Sequence, residues 1–222
     1  MRPLPYFDSR PAVVLATHNA GKLAELKAML EASDVDVTVL GLDDLPRAPV
    51  PDETGDTFEA NALIKAHDAA SRSGLPALAD DSGIEVDALD RMPGIRSARW
   101  AGADASDDDN LHLLLSQVDG VPDARRTARF VAAVALVVPG GDERVVRATW
   151  EGRLATAPRG TNGFGYDPIF LPDDVPGRTS AELESSDKNS RSHRGQAMDA
   201  MLPLLVGTLA GVQGVVPRKE ER

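Results

Sequence analysis

Two adjacent carboxylates, Asp80 and Asp81, stand directly behind an apolar stretch and ahead of Ser82-Gly83. Like charges side by side repel each other, so a metal ion or a bound water would explain the pair. The alternative is an Asx turn closed by glycine. In extended chain the two side chains point to opposite faces, so one can enter a site while the other supports it. A second acidic segment, Asp52-Glu53-Thr54-Gly55, leads into a helix, where the dipole favours acids in any case. Lys65 lies within that alanine-rich helix. A lysine buried there needs a partner, unless its stem lets the ammonium snorkel to the surface.

Three further segments carry the groups that anions and flat ligands require. Thr17-His18-Asn19-Ala20-Gly21-Lys22 joins a strand end to a helix start. Free N–H groups, the helix dipole and the Lys22 ammonium together would hold a phosphate there, although an ordinary asparagine-capped turn reads the same way. The order of residues is not that of a Walker A loop. Gly160 to Pro168 contains Phe164-Gly165-Tyr166-Asp167; its glycines let backbone approach a flat ligand, and Phe164 offers a stacking face. No helix follows as a dinucleotide fingerprint demands, and a plain hairpin loop is the competing reading. Asp187 to Gly195 gathers Lys188, Arg191, His193 and Arg194, donors suited to phosphate or carbonyl oxygens, at what is also a capped helix start.

The elements that must position these groups follow from periodicity. Ala12 to Ala16 reads as a buried strand, a helix begins near Lys22 with Leu23, Leu26 and Leu30 on one face, and Val35 to Leu40 alternates as a second strand. A helix is predicted from about Asp56, with Glu59 as its capping-box partner, to Ser73, where Gly74 stops it. Strands are predicted at Leu75 to Ala79 and Ile84 to Leu89, on either side of the acidic tetrapeptide. A helix follows over about Asp107 to Val118, then a long hairpin of Thr127 to Val138 and Glu143 to Leu154. A short apolar run at Ile169 to Leu171 and helical segments at 180–184 and 192–209 complete the order. Strands and helices interleave, so the fold class is α/β with a mixed sheet. Residues 1–11 read as an N-terminal extension, 12–210 as one domain and 211–222 as a C-terminal tail.

Composition removes whole classes of chemistry. The chain has 222 residues, 42% hydrophobic and 27% charged, which suits an ordinary globular protein. Without cysteine there is no disulfide, thiolate metal site or cysteine nucleophile. With four histidines, an oxygen-ligated hard cation is favoured over zinc. A net charge of −11 argues against coating a nucleic-acid backbone. No run is long enough to span a membrane, and the opening residues lack the apolar core of a signal peptide, so a cytoplasmic location is expected.

In wording and order, LATHNAGKLAEL, ETGDTFEANALIKA, ALADDSGIEVDAL, PGIRSARWAG, ARFVAAVAL, PRGTNGFGYDPIF and SDKNSRSHRGQAM resemble the inosine triphosphate pyrophosphatases. The resemblance runs from about Val13 to Leu205. It implies an elongated mixed sheet flanked by helices, two lobes with a nucleotide cleft between them, and a homodimer. It implies hydrolysis of ITP, dITP and XTP to the monophosphate and pyrophosphate, with Mg2+ as cofactor. Residue by residue, Thr17, His18, Asn19, Ala20, Gly21 and Lys22 would hold the triphosphate, Asn19 and Lys22 foremost. Glu53 and Asp81 would bind magnesium with Asp80 beside them, Asp81 would activate the attacking water, and Lys65 would join this centre. Ser82, Phe164, Gly165, Tyr166, Asp167, Lys188, His193 and Arg194 would surround the nucleoside and its phosphates. His18 departs from the family's usual Gly or Asn, and Arg96 with Trp100 replace its usual tyrosines near the ligand side.

Two rivals fit parts of the pattern. A pyrophosphatase of the septum-inhibitor type would share the architecture and prefer modified pyrimidine nucleotides, but its motifs match less well. A nucleotide sensor without turnover would have no need of Glu53, Asp80 and Asp81 beside phosphates.

Overall fold

The computed structural model describes residues 11–17, 27, 30, 31 and 37–212. Strand β1 (Ala12–Leu15) is fully buried. It pairs in parallel with β2 (Thr38–Gly41) on one side and with β3 (Ala77–Val86) on the other. Between β1 and β2 the described residues Lys27, Leu30 and Glu31 are helical, as the leucine spacing predicts. The start of that helix, at Lys22, and its Leu23 and Leu26 lie outside the described residues, as do the proposed extension up to residue 10 and the tail from 213.

Helix α1 (Phe58–Ser73) is capped one residue later than predicted. Thr57, not Asp56, is the cap, and its hydroxyl accepts the Ala60 N–H at 3.1 Å. Glu59 takes no part in that cap and reaches Arg147 at 3.4 Å. A threonine in extended backbone supplies the same acceptor an aspartate would, so the motif alone does not choose between neighbours. Gly74 closes the helix in the left-handed region, at φ 71°.

The main departure from the predicted elements concerns the acidic tetrapeptide. It is no turn between two strands: Ala77–Val86 is one strand, paired residue for residue with β5 (Thr127–Val137). β5 continues into β6 (Glu143–Leu154) as the long hairpin, and β6 pairs with β7 (Phe170–Pro172). The two-residue strand β4 (Met92–Pro93) joins β3 at Glu85 and Val86. Among the described residues the sheet therefore runs β2-β1-β3-β5-β6-β7, parallel at one end and antiparallel at the other.

Alternation along the strands splits the core. On one face Ala62, Ala66, Ala69 and Ala70 of α1 lie on Ala77, Ala79, Val131, Ala133 and Ala135, small residues that let helix and sheet approach closely. On the other face Ala197, Met201 and Leu205 of α4 (His193–Val212) cover Leu78, Ala132, Val134 and Leu136. Further along that same face α2 (Asp107–Gln117) packs Leu111 and Leu114 with Ile84, Phe130, Trp150 and Phe170. A short helix α3 (Ser185–Arg191) precedes α4. The apolar units under α4 and α2 thus share a face but not a position, and the space between them lies over the middle of β3.

Candidate active site

Because β3 stays extended through Asp80-Asp81-Ser82-Gly83, its side chains alternate, and each carboxylate meets a different group. Asp81 faces α1. There Lys65 Nζ donates to Asp81 Oδ1 at 2.8 Å and to Glu53 Oε1 at 3.2 Å. Glu53 Oε2 accepts from Arg99 at 3.0 Å. Asn61, fully buried in α1, ties the cluster together. Its amide Nδ2 points to Asp81 Oδ2 at 3.4 Å, and its Oδ1 accepts the Gly55 N–H at 2.9 Å, anchoring the Glu53 loop. The buried-lysine reading thus holds: the Lys65 side chain is 19% exposed and bridges two acids.

Burial raises the Asp81 carboxyl above its ordinary value, and the Lys65 charge offsets this only in part. Glu53 goes the other way: burial opposes its ionisation, but Arg99 and Lys65 outweigh burial and hold it low. Lys65 loses hydration too, yet its acidic neighbours keep it charged and raise its pKa. The two partners of the Lys65–Asp81 pair therefore both shift upward. Proton affinity is concentrated on this pair, and Glu53 is the firmly ionised member of the three-residue cluster.

Asp80 faces the opposite way. Its side chain is 5% exposed, and Arg194 Nε donates to its Oδ2 at 3.3 Å. Arg194 also donates from Nη2 to Ser82 Oγ at 3.1 Å. These groups line a cavity of about 560 Å³ between the α2 and α4 units, with Phe130, Phe164, Tyr166, Asp167, Lys188 and His193 in its wall. His193 stacks on Phe130, ring centroids 4.9 Å apart. Phe164 is 60% exposed, and the Lys188 ammonium and Arg194 guanidinium lie 5.1 and 5.6 Å from its ring centre, within cation–π range.

The aromatic loop is held from inside. Asp167, almost fully buried, accepts the Phe164 N–H at 2.8 Å and the Ser180 hydroxyl at 2.8 Å, and pairs with Lys188. Tyr166 donates its hydroxyl to the Ser97 carbonyl at 2.7 Å, and burial pushes its pKa up. Gly165 N–H donates to Asp107 at the first turn of α2. Gly163 needs its positive φ of 78°, and a Cβ there would run into the Asp167 carboxylate.

Of the residues singled out in the sequence, Glu53, Lys65 and Asp81 form one cluster. Ser82, Phe164 to Asp167, Lys188, His193 and Arg194 line the cavity. Thr17 follows β1 beside the Ala79–Asp80 level of β3, since Ala16 N–H bonds the Leu78 carbonyl. His18, Asn19, Ala20, Gly21 and Lys22 lie outside the described residues. Asp80 is turned away from the Glu53–Asp81 cluster. Arg96 is exposed, and Trp100 turns to Gln117 and the α2 core. Neither lines the cavity; Ser97 and Ala98 do.

Arg99, Asn61, Asp107 and Asn110 escaped the sequence reading. An asparagine among the alanines of α1 and the Asp107/Asn110 spacing of one helical turn were the available signals. Asn110 accepts the Ala101 N–H at 2.7 Å and donates to the Ala98 carbonyl at 3.3 Å, pinning the segment that carries Arg99.

The two groups sit on opposite faces of β3, yet they are not walled apart. β1 covers β3 only at Ala77 and Leu78, and β4 only at Glu85 and Val86. Between them, residues 79–84 present an edge that no described strand occupies. The carboxyl end of β1 opens onto this gap, the position where parallel α/β sheets receive ligands.

Comparison with known proteins agrees with this architecture. The Ham1 family model matches residues 13–204. A dITP/XTP pyrophosphatase of Cutibacterium acnes is 56% identical over 200 residues, 90% of this chain and 98% of that protein. One from Nocardia farcinica is 53% identical over 196 residues, 87% of this chain and 94% of its own. The solved structure of a HAM1 protein from Coxiella burnetii superposes with a TM-score of 0.80 at 40% identity, covering 89% of this chain and 99% of that one. That of a nucleoside-triphosphatase / dITP/XTP pyrophosphatase from Mycobacterium abscessus gives 0.75 at 49% identity, with 86% and 99% covered. With nearly the whole length matched in both sequence and fold, this chain belongs to the Ham1 family.

Proposed function

We propose that the protein hydrolyses non-standard purine nucleoside triphosphates (ITP, dITP and XTP) to the monophosphate and pyrophosphate. One observation carries the reading. A charged carboxylate–lysine cluster and an aromatic-walled cavity lie on opposite faces of one strand, joined across the stretch of its edge, residues 79–82, that no described strand pairs with. A ligand draped over that edge has its flat base in the cavity and its phosphates at the charged cluster, near the carboxyl end of β1. The relatives' names supply the substrate class.

In this reading water attacks the α-phosphorus in line. The new P–O bond forms as the bond to the β-phosphate's bridging oxygen breaks, pyrophosphate leaves, and the water's proton passes to Asp81. A carboxylate made more basic by burial suits that task. Glu53 and Asp81 are hard oxygen donors that both reach the Lys65 ammonium, so they stand close enough together to share a magnesium ion. When bound, the metal supplies Lewis-acid neutralisation of phosphate charge. Lys65 and Lys22 add fixed positive potential to the same oxygens. Hypoxanthine and xanthine carry an acceptor oxygen at position 6, which the Arg194 donors satisfy; adenine carries a donor there and leaves both groups unpaired. Such a mismatch costs about 1–3 kcal/mol, or roughly 5-fold to 150-fold in preference.

The reading also includes a homodimer, checked by light scattering, and a cytoplasmic location, where the nucleotide pool is found. The deciding experiment is a panel of ITP, dITP, XTP, GTP, ATP and UTP with separate detection of pyrophosphate and orthophosphate, with magnesium and with EDTA. Expected are pyrophosphate from ITP, dITP and XTP with magnesium, and no turnover in excess chelator. Release of orthophosphate, a preference for UTP, or full activity in EDTA would each defeat the reading.

A further inference from the structure

We propose that Asp80 is a positioning residue for base selection, acting through Arg194, and that the Asp80-Asp81 pair divides base recognition from catalysis between the two faces of β3. This rests on the reading that Arg194 meets the base.

Asp80 stands on the cavity face, turned from the cluster formed by Glu53, Lys65 and Asp81, and its side chain is 5% exposed. Arg194 stands in the first turn of α4 and lines the cavity. A long, flexible side chain at a helix start has no fixed direction of its own. Two contacts from consecutive cavity-facing positions of β3 supply one: Nε–H to Asp80 at 3.3 Å and Nη2–H to Ser82 at 3.1 Å. Both acceptors are on a rigid strand, so they fix the plane of the guanidinium and the direction of its remaining donors. One N–H goes to each acceptor, and those left over serve a carbonyl oxygen in the cavity.

An unpaired guanidinium beside a triphosphate would be drawn to the phosphates, which every nucleotide carries and which hold no information about the base. Pairing with Asp80 offsets that charge while leaving the donors in place. The side chain then answers to hydrogen-bond polarity, the property in which hypoxanthine and adenine differ.

The experiment measures kcat and KM for ITP and ATP in the wild type and in Asp80→Ala, Asp80→Asn, Arg194→Ala and the Asp80→Ala/Arg194→Ala double variant. Magnesium is titrated in each, and IMP and AMP binding is measured by calorimetry without metal. Asp80→Ala is expected to lower the ITP-to-ATP ratio of kcat/KM about tenfold or more, since a misdirected donor loses most of its discrimination. Its effect should fall on IMP binding, with the magnesium midpoint unchanged. Asp80→Asn, which keeps an acceptor for Nε–H, should recover part of the ratio, and adding Arg194→Ala to Asp80→Ala should lower it no further. An equal fall for ITP and ATP, or a displaced magnesium midpoint, would assign Asp80 to the catalytic cluster and overturn the proposal. If Asp80→Ala does not fold, Asp80→Asn and Ser82→Ala carry the same comparison. Should Arg194→Ala itself leave the ratio intact, the base-reading role fails; should it collapse the ratio while Asp80→Ala does not, only the present proposal fails.

Discussion

Replacing Lys65 by methionine separates the two tasks its ammonium performs. The stem is kept, so α1 packing survives, and what disappears is the charge 2.8 Å from Asp81 and 3.2 Å from Glu53. Removing one partner from a fully buried ion pair costs about 3–5 kcal/mol, because a buried charge is left uncompensated. Here the side chains are 19%, 12% and 28% exposed, and Arg99 continues to pair with Glu53. Screening by water reduces the expected cost to about 1–3 kcal/mol. At about 2–4 °C per kcal/mol for a protein of this size, Tm should fall by about 2–12 °C in the absence of metal. Magnesium should restore more of that loss in the variant than it adds to the wild type, because a cation no longer competes with an ammonium for the same oxygens. Turnover should still drop about 100- to 1,000-fold, as for removal of one electrostatic donor from a phosphate transition state. The magnesium midpoint should shift to lower concentration at the same time. Scanning fluorimetry with and without magnesium, and pyrophosphate-coupled turnover across a magnesium titration, read these together. A variant with wild-type melting and turnover, or one requiring more magnesium, would refute the assignment of one shared cation position to Glu53 and Asp81.

Asp81→Asn should keep the fold and most nucleotide affinity while losing about 100- to 10,000-fold in kcat; near wild-type turnover in a folded variant would move the base elsewhere. Gly163→Ala should displace the aromatic loop, since the added Cβ meets the Asp167 carboxylate where φ is 78°. Raised KM for ITP with a smaller change in kcat is the expected signature, and unchanged KM would show that the loop yields at no cost. Hydrogen bonds from Arg129 and Thr127 hold the Asp87 carboxyl below its usual range against partial burial. A depressed carboxylate adds stability above its unfolded pKa and loses it as pH falls through the lower folded value. Asp87→Asn should therefore cost less than about 1 kcal/mol near neutrality, the side chain being 40% exposed. In parallel melts the gap to wild type should close below about pH 4; a gap that widened in acid would contradict the pairing.

Local signals carried the sequence reading where the structure is local. Gly74 announced a helix end, the turn residues Pro139-Gly140-Gly141-Asp142 between two strand-like runs announced a hairpin, and the two aspartates had to face opposite ways once extended. The misreading of residues 80–83 has a physical source. Acids and glycine in succession look like a turn because a turn would satisfy them nearby. Here their partners come from Lys65 and Arg194, the latter 114 positions away. Gly83 serves not a bend but the approach of Ser97 and the Gly94 carbonyl, which a Cβ would strike. Asn61, Arg99 and Asn110 were passed over for the same reason. Their types are ordinary at those positions, and only the tertiary arrangement gives them acceptors to meet. Trp100 shows the converse, a conspicuous residue whose indole is spent on Gln117.

The placement of both aspartates in mid-strand, paired along all of β5, also decides which changes in chain length this protein can absorb. A residue inserted or deleted between Ala77 and Asp80 would advance the register by one and carry each carboxylate through the sheet to the other's side. The acid intended for water would then confront Arg194, and its neighbour would confront Lys65. No local adjustment repairs that, because ten consecutive backbone pairings would have to shift with it. The loops that carry Glu53 and Phe164 are under no such parity rule. Homologues that have drifted in length should therefore have gained or lost residues in those connections, while the distance from the start of β3 to its two acids stays fixed.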